Sequence, residues 1–213
     1  MILSHRLLRL QLLKFLLKTA AENQNKKSKK FLVFNFLWKM SLTIAPGAIV
    51  CNESQLVGEI SIGSRTVIHP KAQIIAEAGP IIIGENNIVE ERAKIVNGRD
   101  PNTKNETTRV MIIGSNNVFE VDCVSYALKI GDSNNLEAKS VVGKSTVLTN
   151  GCIIGAGCEI MTEEVLPENC VIYGSRNDRR IQGDRPGPQY SQIEYLSKVL
   201  PNYHHLKVRI NSI

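Results

Sequence analysis

From Ile44 onward an aliphatic residue returns at every sixth position, and four places after it comes a small one. The opening runs are IAPGAI, VCNESQ, LVGEIS, IGSRTV, IHPKAQ and IIAEAG, beginning at Ile44, Val50, Leu56, Ile62, Ile68 and Ile74. Three extra residues follow, then IGENNI from Ile83, VEERAK from Val89 and IVNGRD from Ile95. A polar loop, PNTKNETTRVMI, interrupts the pattern, which resumes with IGSNNV at Ile113 and FEVDCV at Phe119. After a five-residue step, Ser125–Lys129, hexads run from Ile130 through LPENCV at Leu166.

A helix repeats at about 3.6 residues and a simple strand at about 2. A period of six holds three strand alternations, so each hexad reads as a short strand plus a corner. Three hexads close one triangular turn, and self-similarity this regular predicts a solenoid. The fold class is therefore mainly β: a parallel β-helix of about six to seven turns. The aliphatic and the small residue both point inward, and the small one fits beside the bend. Gly and Asn at the remaining places suit the backbone of the corners.

Counting three hexads per turn stacks Ile44, Ile62, Ile83, Ile113, Ile130, Leu148 and Leu166 on one face. Their small partners are Ala48, Thr66, Asn87, Asn117, Asn134, Cys152 and Cys170. The echoing phrases IIIGENNIVE, MIIGSNNVFE and KIGDSNNLEA are then one face seen on successive turns. Asn87, Asn117 and Asn134 become neighbours about 4.8 Å apart, and their stacked amides are expected to bond along the ladder. Cys123, Cys152, Cys158 and Cys170 fall at the same small inward place and read as compact buried hydrophobes. Cys152 and Cys170 should be stacked, with free thiols expected over a disulfide in a reducing compartment.

Aromatics make up only 5% of the 213 residues, so aliphatics must supply the core. The net charge of +6 comes from one end. Residues 1–39 carry Arg6, Arg9, Lys14, Lys18, Lys26, Lys27, Lys29, Lys30 and Lys39 against one acid, Glu22. That is +8 of the total of +6, leaving −2 for the remainder. The body has no basic face of the kind that prefers phosphates, which argues against nucleic acid. No apolar run reaches the ~18–20 residues that span a bilayer. The five cysteines form no C-x-x-C pair.

The first forty residues form a separate segment. MILSHRLLRLQLLKFLLKTA is Leu-rich and basic, and reads either as an amphipathic membrane-surface helix or as an organelle presequence. Met40 alternatively marks the start of the working protein. The expected organisation is a basic extension over 1–39, the β-helix over 40–174, and a linker with a C-terminal α-helix over 175–213. After Gly174, NDRRIQGDRPGPQ reads as a charged linker. SQIEYLSKVL reads as a helix with an apolar stripe of Ile193, Leu196, Val199 and Leu200, ended by Pro201. The stripe is expected to pack back on the coils; docking to a partner is the alternative.

The repeat identifies the chain as resembling the hexapeptide-repeat left-handed β-helix family, and the left hand is implied by that resemblance alone. Two enzyme groups on this fold depend on histidine. Acyltransferases use one to deprotonate the acceptor, and γ-class carbonic anhydrases hold a metal with three. Of this chain's histidines, His5 lies in the extension, His204 and His205 in the tail, and only His69 in the coils. His69 directly follows its hexad's aliphatic, a place that points outward, so it is expected in solvent. The carbonic anhydrase resemblance is closest over Ile83–Gly131 and puts the three ligand positions at Val96, Val121 and Tyr126. None binds metal as histidine does. No catalytic, cofactor-binding or metal-ligating residue is therefore assigned, and no cofactor is expected.

Long stretches resemble a catalytically silent branch, the dynactin subunit 6 family. They are IAPGAIVCNES, GSRTVIHPKAQIIAEAGPIIIGENNIVEE, MIIGSNNVFEV, GCIIGAGC, VLPENCVIYG and LPNYHHLK. The extension 1–39 departs from that family. The resemblance implies a cytoplasmic, cytoskeletal scaffold subunit at the pointed end of the dynactin filament. It would sit beside other pointed-end subunits, especially the second β-helix subunit (dynactin subunit 5), and serve dynein-driven transport and cargo attachment. The competing readings are a γ-carbonic anhydrase-like enzyme or inactive relative, mitochondrial if the leader is genuine, and a hexapeptide acyltransferase.

Overall fold

The computed structural model describes residues 41–99 and 108–207. In chain order the strands are β1 (Leu42–Ile44), β2 (Ile49–Val50), β3 (Gln55–Ile62), β4 (Val67–Ile68), β5 (Gln73–Ile83), β6 (Ile88–Val89) and β7 (Lys94–Asn97). After the loop come β8 (Met111–Ile113), β9 (Val118–Phe119), β10 (Val124–Ser125), β11 (Lys129–Ile130), β12 (Asn135–Leu136) and β13 (Val141–Val142). The last are β14 (Thr146–Leu148), β15 (Ile153–Ile154), β16 (Glu159–Ile160), β17 (Glu164–Leu166), β18 (Cys170–Tyr173) and β19 (Asp178–Ile181), followed by helix α1 (Tyr190–Tyr203).

Every strand pairs in parallel with the strand one turn on, apart from the antiparallel β18–β19 pair. The turns generate a solenoid of about seven rungs with three faces. Face A runs from β1 to β17 and face B from β2 to β18. Face C runs from the first half of β3, through the first half of β5 and through β7, β10 and β13, to β16. The register on face A is the one the hexads predict: Ile44, Ile62, Ile83, Ile113, Ile130, Leu148 and Leu166 pair in succession. All are buried, together with the matching aliphatics of the other faces except Leu56, which is partly buried. The three residues inserted before Ile83 are absorbed where β3 and β5 round the C–A corner as continuous strands, with a register shift between Gly58 and Ile60.

The IG dipeptide of the repeated phrase has a steric cause. Gly63, Gly84, Gly114 and Gly131 stack at the exit of face A. A Cβ on Gly84 would lie 2.6 Å from the Gly114 carbonyl oxygen, and one on Gly114 would lie 2.2 Å from Asp132 Oδ1. The Asn-Asn pair divides its labour. Asn86 and Asn116 take the left-handed conformation at the A–B corner, with φ of 54° and 61°. Asn87 and Asn117 turn inward and are fully buried.

The inward asparagines form a ladder, but not chiefly an amide-to-amide one. The Asn117 backbone N–H donates to Asn87 Oδ1 at 2.8 Å, the Asn134 N–H to Asn117 Oδ1 at 2.8 Å, and the Cys152 N–H to Asn134 Oδ1 at 2.7 Å. Asn87 Nδ2 donates to the Gly114 carbonyl, and Asn134 Nδ2 to the Thr149 carbonyl. One amide–amide bond joins Asn134 Nδ2 to Asn117 Oδ1. At the corner the backbone bends out of its own ladder, and the side chain supplies the missing acceptor one turn on. Cys152 and Cys170 follow in the same column as free, buried thiols, as do Cys51, Cys123 and Cys158 elsewhere. Burial pushes the Cys51 thiol up to about 11 and raises that of Cys123 further.

Two readings of the C-terminal region need correction. Part of the segment expected as a plain linker is β19, which pairs antiparallel with β18 and closes that edge of face B. Asn177 at positive φ makes the tight turn between them. Pro201 does not end the helix. Its missing N–H withdraws one bond, yet α1 continues to Tyr203, and the His204 N–H bonds the Leu200 carbonyl.

Candidate functional site

Three places bear on function: the outer surface of face C, the base of the polar loop, and the strap that α1 and its tail to Lys207 make over face B. On face C, Val57 pairs with Ile75, and Ile75 with Val96. Ser125 pairs with Ile95, which brings Tyr126 beside Val96. Two of the expected ligand positions therefore adjoin. Val121 stands at the opposite edge of the face, in the corner before β10, where its carbonyl accepts the Lys139 N–H. The neighbourhood is apolar, with Val57, Ile75 and Val96 half-buried, Tyr126 36% exposed, and Met161 further along the column. Among the described residues, no group of three His, Cys, Asp or Glu side chains is placed to hold a metal ion. Nor is any described helix long and apolar enough to cross a membrane.

The loop after β7 leaves from a fixed base. Asn97 is fully buried, and its Nδ2 donates to the Arg109 and Gly79 carbonyls at 2.7 and 3.0 Å, bolting both ends of the loop to β5. Lys144 Nζ donates to the Gly98 carbonyl and Arg99 Nε to the Glu77 carbonyl. The sequence pattern gave no sign of this anchor, because Asn97 falls where the hexads stop. The centre of the loop, 100–107, lies outside the described residues.

Helix α1 lies on the outer surface of face B. Its Ile193 and Leu200 are buried, and with Leu196 they pack on Cys51, Val67, Ile88, Ile49 and Val118. These outward residues are apolar because the helix covers them. The tail then closes on the first rung. The Asn52 N–H bonds the His205 carbonyl and the Lys207 N–H bonds the Val50 carbonyl, both at 2.7 Å, forming an antiparallel bridge between Cys51 and Leu206. His204 Nδ1 meets Glu53 Oε1 at 3.2 Å, and Lys207 Nζ reaches the Asn52 carbonyl.

His69 was expected in solvent. It is half-buried instead, and its Nε2 has no hydrogen-bond partner within the described residues. It points outward as the hexad requires, but α1 and its tail lie over that surface. Burial holds it below the ordinary imidazole value; Glu91 opposes that shift and His204 adds to it. His204, remote in sequence, thus acts electrostatically on His69 from the tail.

Along the same edge of face B, carboxylates cap the turns. Glu120 Oε2 accepts the Ala138 N–H, and Glu137 Oε2 accepts the Ala156 N–H. Burial, with Glu120 alongside, raises the Glu90 carboxyl, which bonds Val121 and Gln192. These glutamates hold corners.

Rungs, corners and ladders define a hexapeptide-repeat parallel β-helix. A crystal structure of a hexapeptide transferase family protein from Anaplasma phagocytophilum shares the fold, with a TM-score of 0.56 at 16% identity, covering 76% of this chain and 88% of that one. No family model matches the chain. Dynactin subunit 6 of Danio rerio is 57% identical over 176 residues, 81% of this chain and 90% of that protein. Dynactin subunit 6 of Xenopus tropicalis is 55% identical over 176 residues, 81% and 88% of the two. The chain belongs to the dynactin subunit 6 family.

Proposed function

We propose that this chain is a non-catalytic structural subunit of the dynactin complex. It would act in the cytoplasm within the pointed-end subcomplex, beside the other pointed-end subunits and especially the second β-helix subunit, dynactin subunit 5. Its task there is to support dynein-driven transport and cargo attachment. Residues 40–174 would carry the β-helix, 175–213 the linker and strap, and 1–39 a separable extension. The observation that carries the reading is identity of 55–57% with relatives named dynactin subunit 6 across most of both chains.

Chemistry supports the non-catalytic part. Val96 and Val121 offer no donor to a metal and Tyr126 only a neutral phenol, where a hydrolytic zinc site uses histidine. His69, the histidine of the coils, lies under α1 rather than in an open cleft. A rigid solenoid with apolar outer columns is suited to holding neighbours. Affinity purification of the full chain from its source tests the reading. Recovery of actin-related filament proteins is expected. A homotrimer without them, or stoichiometric zinc with CO₂ hydration, would overturn it.

A further inference from the structure

Face A carries an apolar column that nothing above employs. Reading across the rungs, its outward residues are Thr43, Ser61, Ile82, Ile112, Lys129, Val147 and Val165, each paired in register with the next. Ile82, Ile112 and Val165 are 45%, 51% and 66% exposed, and Val110 beside them is 45% exposed. On face B the equivalent apolar column lies under α1. Here four β-branched side chains face outward on five rungs, with Lys129 on the middle one, a span of roughly 19 Å at the strand spacing. At the exit of the face the side-chain oxygens of Ser115, Asp132 and Asn150 lie over the stacked glycines and bond along the row, so the column has a polar rim on that side. An apolar strip of this kind, with one charge at its centre, marks a contact surface.

The strip's charge indicates what it contacts. Lys129 is exposed and stands at its middle, with Ile82 and Ile112 on one side and Val147 and Val165 on the other. A second copy of this chain that buried the whole strip would do so about a two-fold axis, because like patches then coincide. That axis would pass through the central rung and set Lys129 against Lys129. Like charges pressed together in an apolar contact are strongly disfavoured. A different partner avoids this by presenting a carboxylate there.

We propose that face A docks a flat β-sheet face of another protein, β-branched in its outward residues and carrying an Asp or Glu opposite Lys129. The inference rests on the reading of this chain as a complex subunit and assigns the surface that joins it. Strand faces meet face to face about 10 Å apart, and the polar row of Ser115, Asp132 and Asn150 forms one rim of the contact. The central ion pair selects the partner and fixes its register along the solenoid, since sliding by one rung would bury the carboxylate against Ile112 or Val147.

The test uses the tagged full chain expressed in its source, as wild type, Ile112→Asp, Lys129→Glu and Lys129→Met. All substitutions are at exposed positions, and thermal melts of the purified variants check that the coils stay folded. With wild type recovering its complex, Ile112→Asp and Lys129→Glu are each expected to lower recovery about tenfold or more, and Lys129→Met less. Recovery unchanged in both charge variants would overturn the surface while leaving the subunit reading intact. No complex with wild type would overturn the reading and the surface with it. Light scattering of the purified wild type should give a monomer; a dimer that Ile112→Asp dissolves would overturn the hetero-partner in favour of a second copy.

Discussion

The asparagine column inside the A–B corner and the strap across face B both join polar side chains to backbone, yet they are built on opposite terms. The column is neutral, enclosed and repeated, each rung taking the N–H of the next. The strap is a single contact. It is held by Ile193, Leu196 and Leu200 and by a short bridge at Leu206, and its polar groups titrate. Repetition means that one faulty rung leaves its neighbours unsatisfied on both sides. A single docked segment can open without touching the rungs below. The coils should therefore fail as a unit and the strap should fail alone.

The most severe way to break this contrast is Asn117→Leu. It removes the acceptor for the Asn134 N–H and Nδ2 and forces branched bulk into a full site. The expected loss is roughly 4 kcal/mol, read from denaturant unfolding of the whole domain. Asn87→Leu should cost a few kcal/mol for the same reason. A melting temperature unmoved by either would refute the ladder. Gly114→Ala comes next, because its Cβ meets Asp132 Oδ1 and the Gly131 carbonyl. About 2–3 kcal/mol is expected, again for the entire coil.

Leu200→Ala probes the other side. Its cost of about 2 kcal/mol should fall on the strap alone. Amide exchange should rise at Asn52, Lys207 and along α1, while the amides of Ile83 and Ile113 keep their protection. A uniform rise over all rungs would mean that strap and coil form one cooperative unit. At the weak end, Arg92 and Asp122 meet through two hydrogen bonds on an exposed corner. Arg92→Gln should leave the melting temperature close to wild type, since solvent screens such a pair.

The rungs were legible in the sequence because the rule that makes them is periodic. Ile83 and Ile113 are thirty letters apart and adjacent in space, and counting hexads is enough to pair them. The free inward cysteines followed from the same count. The strap's destination was not legible. The stripe in α1 reveals a buried side but not its floor. Once α1 lies on face B, an outward histidine becomes half-buried, so His69 was misread by a rule that holds for bare coils. Asn97 and β19 were missed for a related reason. Both lie where the period has stopped, and a single hydrogen-bonding residue or a short edge strand leaves no repeat to count. Val96 and Tyr126 come together as neighbours; the role of their surface is not a property that spacing encodes.

The sharpest separation of the two regions is their response to acid. The asparagine column has no group that titrates. The strap's floor has His69, faced by Glu90 on its own column, Glu91 and Lys71 at the corner, Cys51 and Glu53 on the first rung, and His204, His205 and Lys207 in the tail. Because burial lowers the affinity of His69 for a proton, the opened strap binds that proton more readily than the closed one. The stability His69 contributes is therefore fully present above the free imidazole value of about 6.5 and is lost as pH falls through the lower value of the closed state. Glu53 is also held low, by its own backbone N–H first and then by His204. Its share persists until pH drops below the ordinary carboxylate range. Amide exchange at Asn52 and Lys207, corrected for intrinsic rates, should thus rise about two- to threefold between pH 7.5 and 5.5, with the rung amides unchanged. His69→Gln should flatten the rise. An acid response of equal size in wild type and His69→Gln would show that His69 does not govern the strap.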